Sequence, residues 1–176
     1  MRISIIGHGA SGKSTLARRI SKKFNIPHLH IDRFWFESGG YKLKPGDTEG
    51  KEKVRAYIKE NVENFIKQDS WVSDGWYSKV QPIISERADQ ILFLDISIYR
   101  RLFNHLQRIF KTDRHKELTK WDEFKFFYEL VYRTYAKGPN KTNKIKQFIR
   151  EHSDKVVILR NYKDVEKYLS TLQLHQ

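Results

Sequence analysis

Residues 7–14, near the start of the chain, include the residue types that a phosphate-binding loop requires. Gly7 and Gly12 allow the backbone to bend around an anion, and the successive N–H groups from Gly9 to Ser14 can point toward it. Lys13 supplies a positive charge, and the hydroxyl of Ser14 can ligate Mg²⁺. The spacing is G-x-x-x-x-G-K-S, which is typical of the P-loop that binds the phosphates of a nucleoside triphosphate.

The sequence on either side of this loop predicts the elements that position it. Residues 3–6 are mostly apolar and predict a buried strand, and Leu16, Ile20 and Phe24 recur at helical spacing after the loop. This order places a bound phosphate at a helix N-terminus, where unpaired N–H groups and the helix dipole favour negative charge. The alternative is a glycine-rich turn that binds nothing. The residues predicted to bind the nucleotide are Gly7, Gly9, Ala10, Ser11, Gly12, Lys13, Ser14 and Thr15.

Two aspartates are predicted at the ends of later strands. Asp32 ends a predicted strand over residues 28–32, and Asp74 ends another over residues 71–74. Ligands of parallel α/β sheets bind at the carboxyl ends of the strands. We therefore predict that Asp32 orients or deprotonates an acceptor hydroxyl with help from Arg33, and that Asp74 holds Mg²⁺ together with Ser14. The alternatives are a helix cap or surface ion pair for Asp32, and a simple Asp-Gly turn for Asp74.

Further residues near these aspartates are candidates for the acceptor site. Gly75 would let the backbone approach a ligand, and Trp35 could line a pocket for a planar ligand, although an aromatic residue in such a run is equally often part of the core.

The rest of the chain alternates between helical and strand patterns. Helices are predicted over residues 48–68, 78–88, 100–110, 121–135, 142–152 and 164–172, and strands over residues 90–95 and 155–160. Asp47 or Thr48 can cap the first of these helices, and Pro82 is tolerable in the first turn of the second. Strand–helix–strand units of this length form parallel sheets. We predict an α/β protein with a single domain over residues 1–176.

The chain is strongly basic, and most of the excess charge lies in one segment. The net charge is +13, and residues 100–150 contain 14 basic and five acidic side chains, a difference of +9. Such a block can bind nucleic acid, an anionic membrane surface or a phosphate-rich ligand, or it can simply be the solvated faces of helices. The sequence has no recognisable helix-turn-helix, zinc module or RNA-binding signature.

Several other classes of protein are disfavoured. The chain has no cysteine, so disulfides and cysteine-ligated metals are excluded. It also has no signal-peptide pattern and no apolar stretch of the ~20 residues that span a membrane, so we predict a cytoplasmic protein. The seven histidines are scattered and show no recognisable metal-ligand spacing.

With these residues in place, the chain resembles the adenylate-kinase-like P-loop proteins, most closely those called DNA topology modulation proteins of the FlaR type. The resemblance covers almost the whole chain and rests on four blocks. They are G-H-G-A-S-G-K-S-T at 7–15, I-P-H-L-H-I-D-R-F-W at 26–35, W-V-S-D-G-W-Y-S at 71–78, and A-D-Q-I-L-F-L-D at 88–95.

The resemblance implies a P-loop NTPase three-layer fold, with a five-stranded parallel sheet of order 2-3-1-4-5 and helices on both faces. It implies an ATP site at the P-loop, an acceptor site walled by the region after Asp32, and two arginines against the phosphates, Arg108 and Arg133. Residues 111–120 would form a short basic lid. Two positions depart from the family pattern: Asn104 stands where an arginine stacks on adenine, and Trp76 stands where asparagine is more frequent. The implied acceptor-binding residues are Asp32, Arg33, Trp35, Gly75 and Trp76.

These features together predict an ATP- and Mg²⁺-dependent phosphotransferase acting on a nucleoside, a nucleotide or a related small metabolite. Lys13, Mg²⁺ and the arginines would neutralise charge on the transferred phosphoryl group, and Asp32 would hold the acceptor hydroxyl. One alternative is a regulatory or nucleic-acid-binding protein that binds ATP without kinase turnover. Another is ATP hydrolysis coupled to a partner.

Overall fold

The computed structural model describes residues 1–110, 128 and 140–173. Five strands within these residues form one parallel sheet. The strands lie in the order β2-β3-β1-β4-β5, as predicted. They are β1 (Arg2–Gly7), β2 (His28–His30), β3 (Trp71–Asp74), β4 (Gln90–Leu94) and β5 (Val156–Leu159). The central strand β1 pairs with β3 on one side and with β4 on the other.

Helices cover both faces of the sheet and give a three-layer architecture. They are α1 (Lys13–Phe24), α2 (Ile31–Glu37), α3 (Thr48–Phe65), α4 (Gln81–Arg87), α5 (Ile98–Phe110), α6 (Asn140–Glu151) and α7 (Tyr162–Thr171). A short 3-10 helix, Gly40–Lys42, lies between α2 and α3.

Side chains from alternate positions of the strands belong to two separate apolar clusters, one on each face of the sheet. One cluster packs Ile6 and Trp71 of the sheet against helices α3, α4 and α6. The other packs Ile5 and Val72 against helices α1 and α7. Strands covered on both faces must be apolar along most of their length, which explains why residues 3–6 are buried without interruption.

Local sequence signals account for several helix boundaries. The side chain of Asp47 caps α3 by accepting a hydrogen bond from the Gly50 N–H at 2.8 Å, as predicted. Pro82 lies in the first turn of α4, where its missing N–H costs nothing. Helix α3 ends at Phe65, three residues before the predicted end, and the Gln68 side chain donates to the Phe65 carbonyl at 2.9 Å.

The prediction for residues 28–32 was wrong in one respect that concerns the site. Strand β2 ends at His30, whose extended backbone serves as the N-cap of α2, and the helix begins at once with Ile31. Asp32 therefore lies in the first turn of a helix and not at the end of a strand. The predicted helix over 121–135 falls outside the described residues, apart from residue 128.

Candidate functional site

The P-loop joins β1 to α1 in a backbone conformation that explains its glycines. Gly7 has φ of +150°, and a Cβ there would lie 2.8 Å from the carbonyl oxygen of Leu94 in the neighbouring strand. Gly12 has φ of +96°, and Ala10 is also left-handed, with φ of 58°. In the described residues, the first turn of α1 has no acidic residue and no side-chain cap, an arrangement that suits an anion at the helix N-terminus, although the Thr15 N–H already donates to the Gly12 carbonyl at 3.1 Å.

The side chains of Lys13 and Ser14 both make hydrogen bonds beside the P-loop. The ammonium of Lys13 donates a hydrogen bond to the carbonyl oxygen of His8 at 2.9 Å. The hydroxyl of Ser14 donates to the Oδ2 atom of Asp74 at 2.6 Å. The structure therefore brings together the two residues predicted to hold Mg²⁺.

Asp74 is buried at the carboxyl end of β3 and accepts hydrogen bonds from three side chains. Its Oδ1 atom lies 2.5 Å from Nε2 of His28 and 3.0 Å from Nδ1 of His30. Burial raises the pKa of Asp74, but the hydrogen bonds from the two histidines and Ser14 outweigh burial and hold the pKa well below its ordinary value. The same hydrogen bond to Asp74 raises the pKa of His30. The carboxylate is therefore ionised at neutral pH.

The two histidines were not among the predicted site residues. The histidines show no recognisable metal-ligand spacing in the sequence, yet in the structure His28, His30 and Asp74 place three potential ligand atoms within 4.8 Å of one another. The available signal was the spacing of the histidines, since positions 28 and 30 of a strand project to the same face.

Asp32 lies close to Gly75 despite its place in a helix. Gly75 has φ of +129°, and a Cβ at that position would lie 3.6 Å from Oδ1 of Asp32 and 3.0 Å from Cβ of Ile31. A glycine at position 75 thus leaves room for α2 to start directly beside the end of β3. The predicted pair of Asp32 and Gly75 is brought together at the same edge of the sheet as the P-loop.

The other predicted acceptor residues have different surroundings. The Arg33 guanidinium is exposed and pairs with Glu37 on its own helix at 2.5 Å. The Trp35 ring packs over Gly40, where a Cβ would lie 2.6 Å from the ring, so a packing role explains its position. The Trp76 ring packs edge-on against Phe148 at 5.2 Å between ring centroids.

A cavity of about 350 Å³ lies next to Trp76. Lys79, Lys144 and Glu151 also line it, so it combines an aromatic wall with charged side chains of both signs.

Asn104 links three elements around the P-loop. Its side-chain nitrogen donates to the Ala10 carbonyl of the P-loop at 2.8 Å and to the Tyr162 hydroxyl at 2.6 Å. The Tyr162 ring lies beside Gly12, and the Arg100 guanidinium lies over this ring at 5.3 Å. The asparagine that departs from the family pattern thus ties α5 and α7 to the loop.

The remaining predicted residues lie at the border of the described chain or beyond it. Arg108 belongs to helix α5, while Arg133 and the lid-like segment 111–120 lie outside the described residues. Among the helices that are described, none is both long enough and apolar enough to cross a membrane.

Comparisons with known proteins support the architecture. No protein-family model matches the chain, and no curated protein matches it. The solved structure of shikimate kinase from Bacteroides thetaiotaomicron aligns with a TM-score of 0.53 at 16% identity, covering 98% of this chain and 96% of that one. Shikimate kinase from Aquifex aeolicus aligns with a TM-score of 0.50 at 19% identity, covering 97% and 95%. The chain therefore has the P-loop nucleotide-kinase-like fold that these structures share.

Proposed function

We propose that this protein is an ATP- and Mg²⁺-dependent kinase that transfers the γ-phosphoryl group to a hydroxyl or phosphate of a small acceptor. The observation that carries the proposal is the hydrogen bond of 2.6 Å between Ser14 of the P-loop and the buried carboxylate of Asp74. Two oxygen ligands are thereby paired directly beside the phosphate-binding loop. Oxygen donors of this kind suit Mg²⁺, so this pair fits the ion that P-loop enzymes use.

Each residue has a distinct part in the proposed reaction. The backbone N–H groups of the loop and Lys13 bind the phosphates of ATP. Ser14 and Asp74 hold Mg²⁺, which when bound neutralises charge on the phosphates. Asp32, beside Gly75, positions the acceptor hydroxyl and accepts its proton. Arg108 and Arg133 are proposed to stabilise the charge of the transferred group.

The acceptor is proposed to be a small hydroxylated molecule. The two structural neighbours are kinases of shikimate by name. Lys79 and Lys144 outweigh the single negative charge of Glu151 in the cavity by Trp76, which would favour an acceptor with an anionic group and a flat apolar part. The resemblance to the FlaR-type proteins suggests the alternative, an ATP-binding regulator that contacts nucleic acid through the basic segment and has no kinase turnover.

The test is phosphoryl transfer from ATP, followed by phosphorus NMR. The acceptor panel contains nucleosides, nucleotides and hydroxylated carboxylic acids, shikimate among them. We expect one acceptor class to be phosphorylated, and we expect Lys13→Ala to lower kcat/KM by about 10²–10³-fold, because a charge aimed at the transferred group is lost. Lys22→Ala is the matched control, since it removes an exposed lysine from the last turn of the same helix.

A second variant separates the acceptor side from the donor side. Asp32→Asn should lower acceptor-dependent turnover by about 10²–10⁴-fold while leaving ATP affinity unchanged. ATP binding that depends on Lys13, without turnover for any acceptor, would instead support the regulatory alternative. In that case, retention of a DNA duplex in mobility-shift assays at about 0.2 M salt would identify nucleic acid as the partner.

A further inference from the structure

Strands β2 and β3 bring two imidazoles and one carboxylate to a single point. His28 and His30 are separated by one residue on β2, so their side chains project to the same face. In the parallel pairing of the two strands, His30 lies opposite Asp74. The grouping is thus fixed by sheet register and not by a flexible loop.

The two imidazoles already converge on one oxygen atom of the carboxylate. Oδ1 of Asp74 lies 2.5 Å from Nε2 of His28 and 3.0 Å from Nδ1 of His30. The hydroxyl of Ser14 contacts the other oxygen, Oδ2. A single hydroxyl and a single imidazole would suffice to hold this carboxylate in place, so the second imidazole calls for a further explanation.

Two imidazole nitrogens and one carboxylate oxygen form a donor set that selects a particular class of ion. Zn²⁺ and similar ions prefer imidazole and carboxylate ligands, whereas Mg²⁺ prefers carboxylates, phosphates and water. We propose that His28, His30 and Asp74 form a binding site for a borderline divalent transition-metal ion, such as Zn²⁺ or Co²⁺.

The geometry requires only a small adjustment to accept such an ion. Zinc lies about 2.0–2.2 Å from each nitrogen or oxygen ligand, so the ligand atoms of a tetrahedral site are about 3.3 Å apart. The Nε2 atom of His28 lies 2.5 Å from Oδ1 of Asp74, so these atoms must separate by less than about 1 Å. All three ligand atoms lie within 4.8 Å of one another, so rotation of the imidazole side chains is the movement that the site requires.

The site is open on one side. The Asp74 side chain is fully buried, while 18% of the His28 side chain and 38% of the His30 side chain are exposed. An ion can therefore enter from the His30 side, and a water molecule can occupy the fourth position there. Ser14 contacts Oδ2, His28 contacts Oδ1, and Nδ1 of His30 lies 3.0 Å from Oδ1 and 3.2 Å from Oδ2, so the proposed transition-metal site is centred on Oδ1 and the proposed Mg²⁺ site on Oδ2.

The inference goes beyond the proposed kinase function and is tested without nucleotide. Co²⁺ is titrated into the full chain and followed by visible absorption, and Zn²⁺ binding is measured by calorimetry. We expect one ion per chain, an intense spectrum of low-coordinate Co²⁺, and Zn²⁺ affinity that an excess of Mg²⁺ does not reduce.

Three variants test the ligand set. His28→Gln and His30→Gln retain an N–H group that can donate to Asp74 but lose the imidazole ligand. Each should weaken Zn²⁺ and Co²⁺ binding more than about 100-fold, beyond the 10–100-fold that the loss of an outer-shell partner costs. His152→Gln is the matched control, because this histidine contacts Ser85 and Phe148 at a different place in the fold.

Unchanged metal affinity in both cluster variants, or a weak six-coordinate Co²⁺ spectrum in the wild type, would overturn the inference. Circular dichroism and thermal unfolding verify that each variant is folded. If a variant does not fold, imidazole ¹⁵N spectra of the wild type decide the question. Zn²⁺ should shift the resonances of His28 and His30 but not that of His152, and the absence of such shifts would also overturn the inference. Failure here leaves the effect of Lys13→Ala on ATP turnover untouched.

Discussion

The two ends of the parallel sheet both carry an aspartate, but the two carboxylates are held in different ways. At the amino end, Asp89 precedes β4, is 44% exposed and pairs with the Arg2 guanidinium at 2.6 Å. Its other oxygen accepts the Arg2 N–H at 2.8 Å. At the carboxyl end, Asp74 is fully buried, and its contacts come from two imidazoles and a hydroxyl.

The difference distinguishes an end of the sheet that is held by a permanent ion pair from the end at which we propose the active site. A salt bridge to an arginine that stays charged keeps Asp89 fully engaged in joining two strands. The partners of Asp74 are a hydroxyl and two imidazoles, none of them a permanent cation, and this agrees with the proposed role of the carboxylate as a ligand of an incoming ion. Left-handed glycines also lie at the carboxyl end, where Gly7 and Gly75 bring the backbone close to the site.

The largest expected difference in stability and activity is between a variant that lacks the Asp74 carboxylate and one that lacks the Asp89 carboxylate. Asp74→Ala leaves three side-chain donors without an acceptor, so we expect a loss of about 1–3 kcal/mol in unfolding free energy. We also expect phosphoryl transfer to fall by about 10²–10³-fold. Asp89→Ala removes an exposed ion pair and should cost about 1 kcal/mol or less, with normal turnover.

Urea unfolding and the kinase assay measure both effects on the same samples. Asp74→Asn separates charge from shape, because it keeps the size of the side chain while removing the negative charge. Equal losses of activity in the Asp74 and Asp89 variants would contradict the division between the two ends of the sheet.

A smaller difference in stability and in KM is expected between substitutions of Gly75, beside the proposed site, and of Gly46, away from it. Gly75→Ala combines φ of +129° with a Cβ only 3.0 Å from Cβ of Ile31, so it should destabilise the fold by about 1–3 kcal/mol and raise KM for the acceptor. Gly46 has φ of +91° with no atom within 4 Å of the added Cβ. Gly46→Ala should therefore cost only the left-handed strain of about 1–2 kcal/mol and leave KM unchanged.

The smallest expected effect concerns Tyr168, which lies at the amino end of the sheet, and it appears only in alkaline solution. Burial raises the pKa of Tyr168 to about 12, above the ordinary value of a tyrosine, and its hydroxyl donates to Gln90 at 2.5 Å. The folded state thus favours the protonated phenol, so this contribution to stability is present below about pH 10 and is lost as the pH rises toward about 12. Tyr168→Phe should show a weaker decline of stability over this range in urea unfolding. Parallel declines in the two proteins would contradict this expectation.

The features that could be predicted from the sequence are those with local causes. The loop of Gly7 and Gly12, the cap at Asp47 and the first-turn proline at position 82 each depend on residues within a few positions. The sheet order followed from the family resemblance and was confirmed. The FlaR assignment, the single domain, the cytoplasmic location and the roles of the site residues stay predictions.

The features that were missed depend on contacts between distant parts of the chain. The histidine cluster exists because β2 lies beside β3, which brings together residues more than 40 positions apart. Asn104 reaches Ala10 across 94 positions and Tyr162 across 58. The helical place of Asp32 was missed because the run of residues 28–32 alternates like a strand, while the helix starts directly after His30 without a separating turn.

The strand order also has a consequence for synthesis of the protein. Among the described strands, β1 is synthesised before the others and lies at the centre of the sheet, yet both of its partners come from residues 71–94. At about 5–20 residues per second, the nascent chain carries the apolar side chains of Ile3, Ile5 and Ile6 for several seconds before either neighbour is available. A translation product that stops before residue 90 lacks β4, which leaves one edge of β1 open to pairing with other chains.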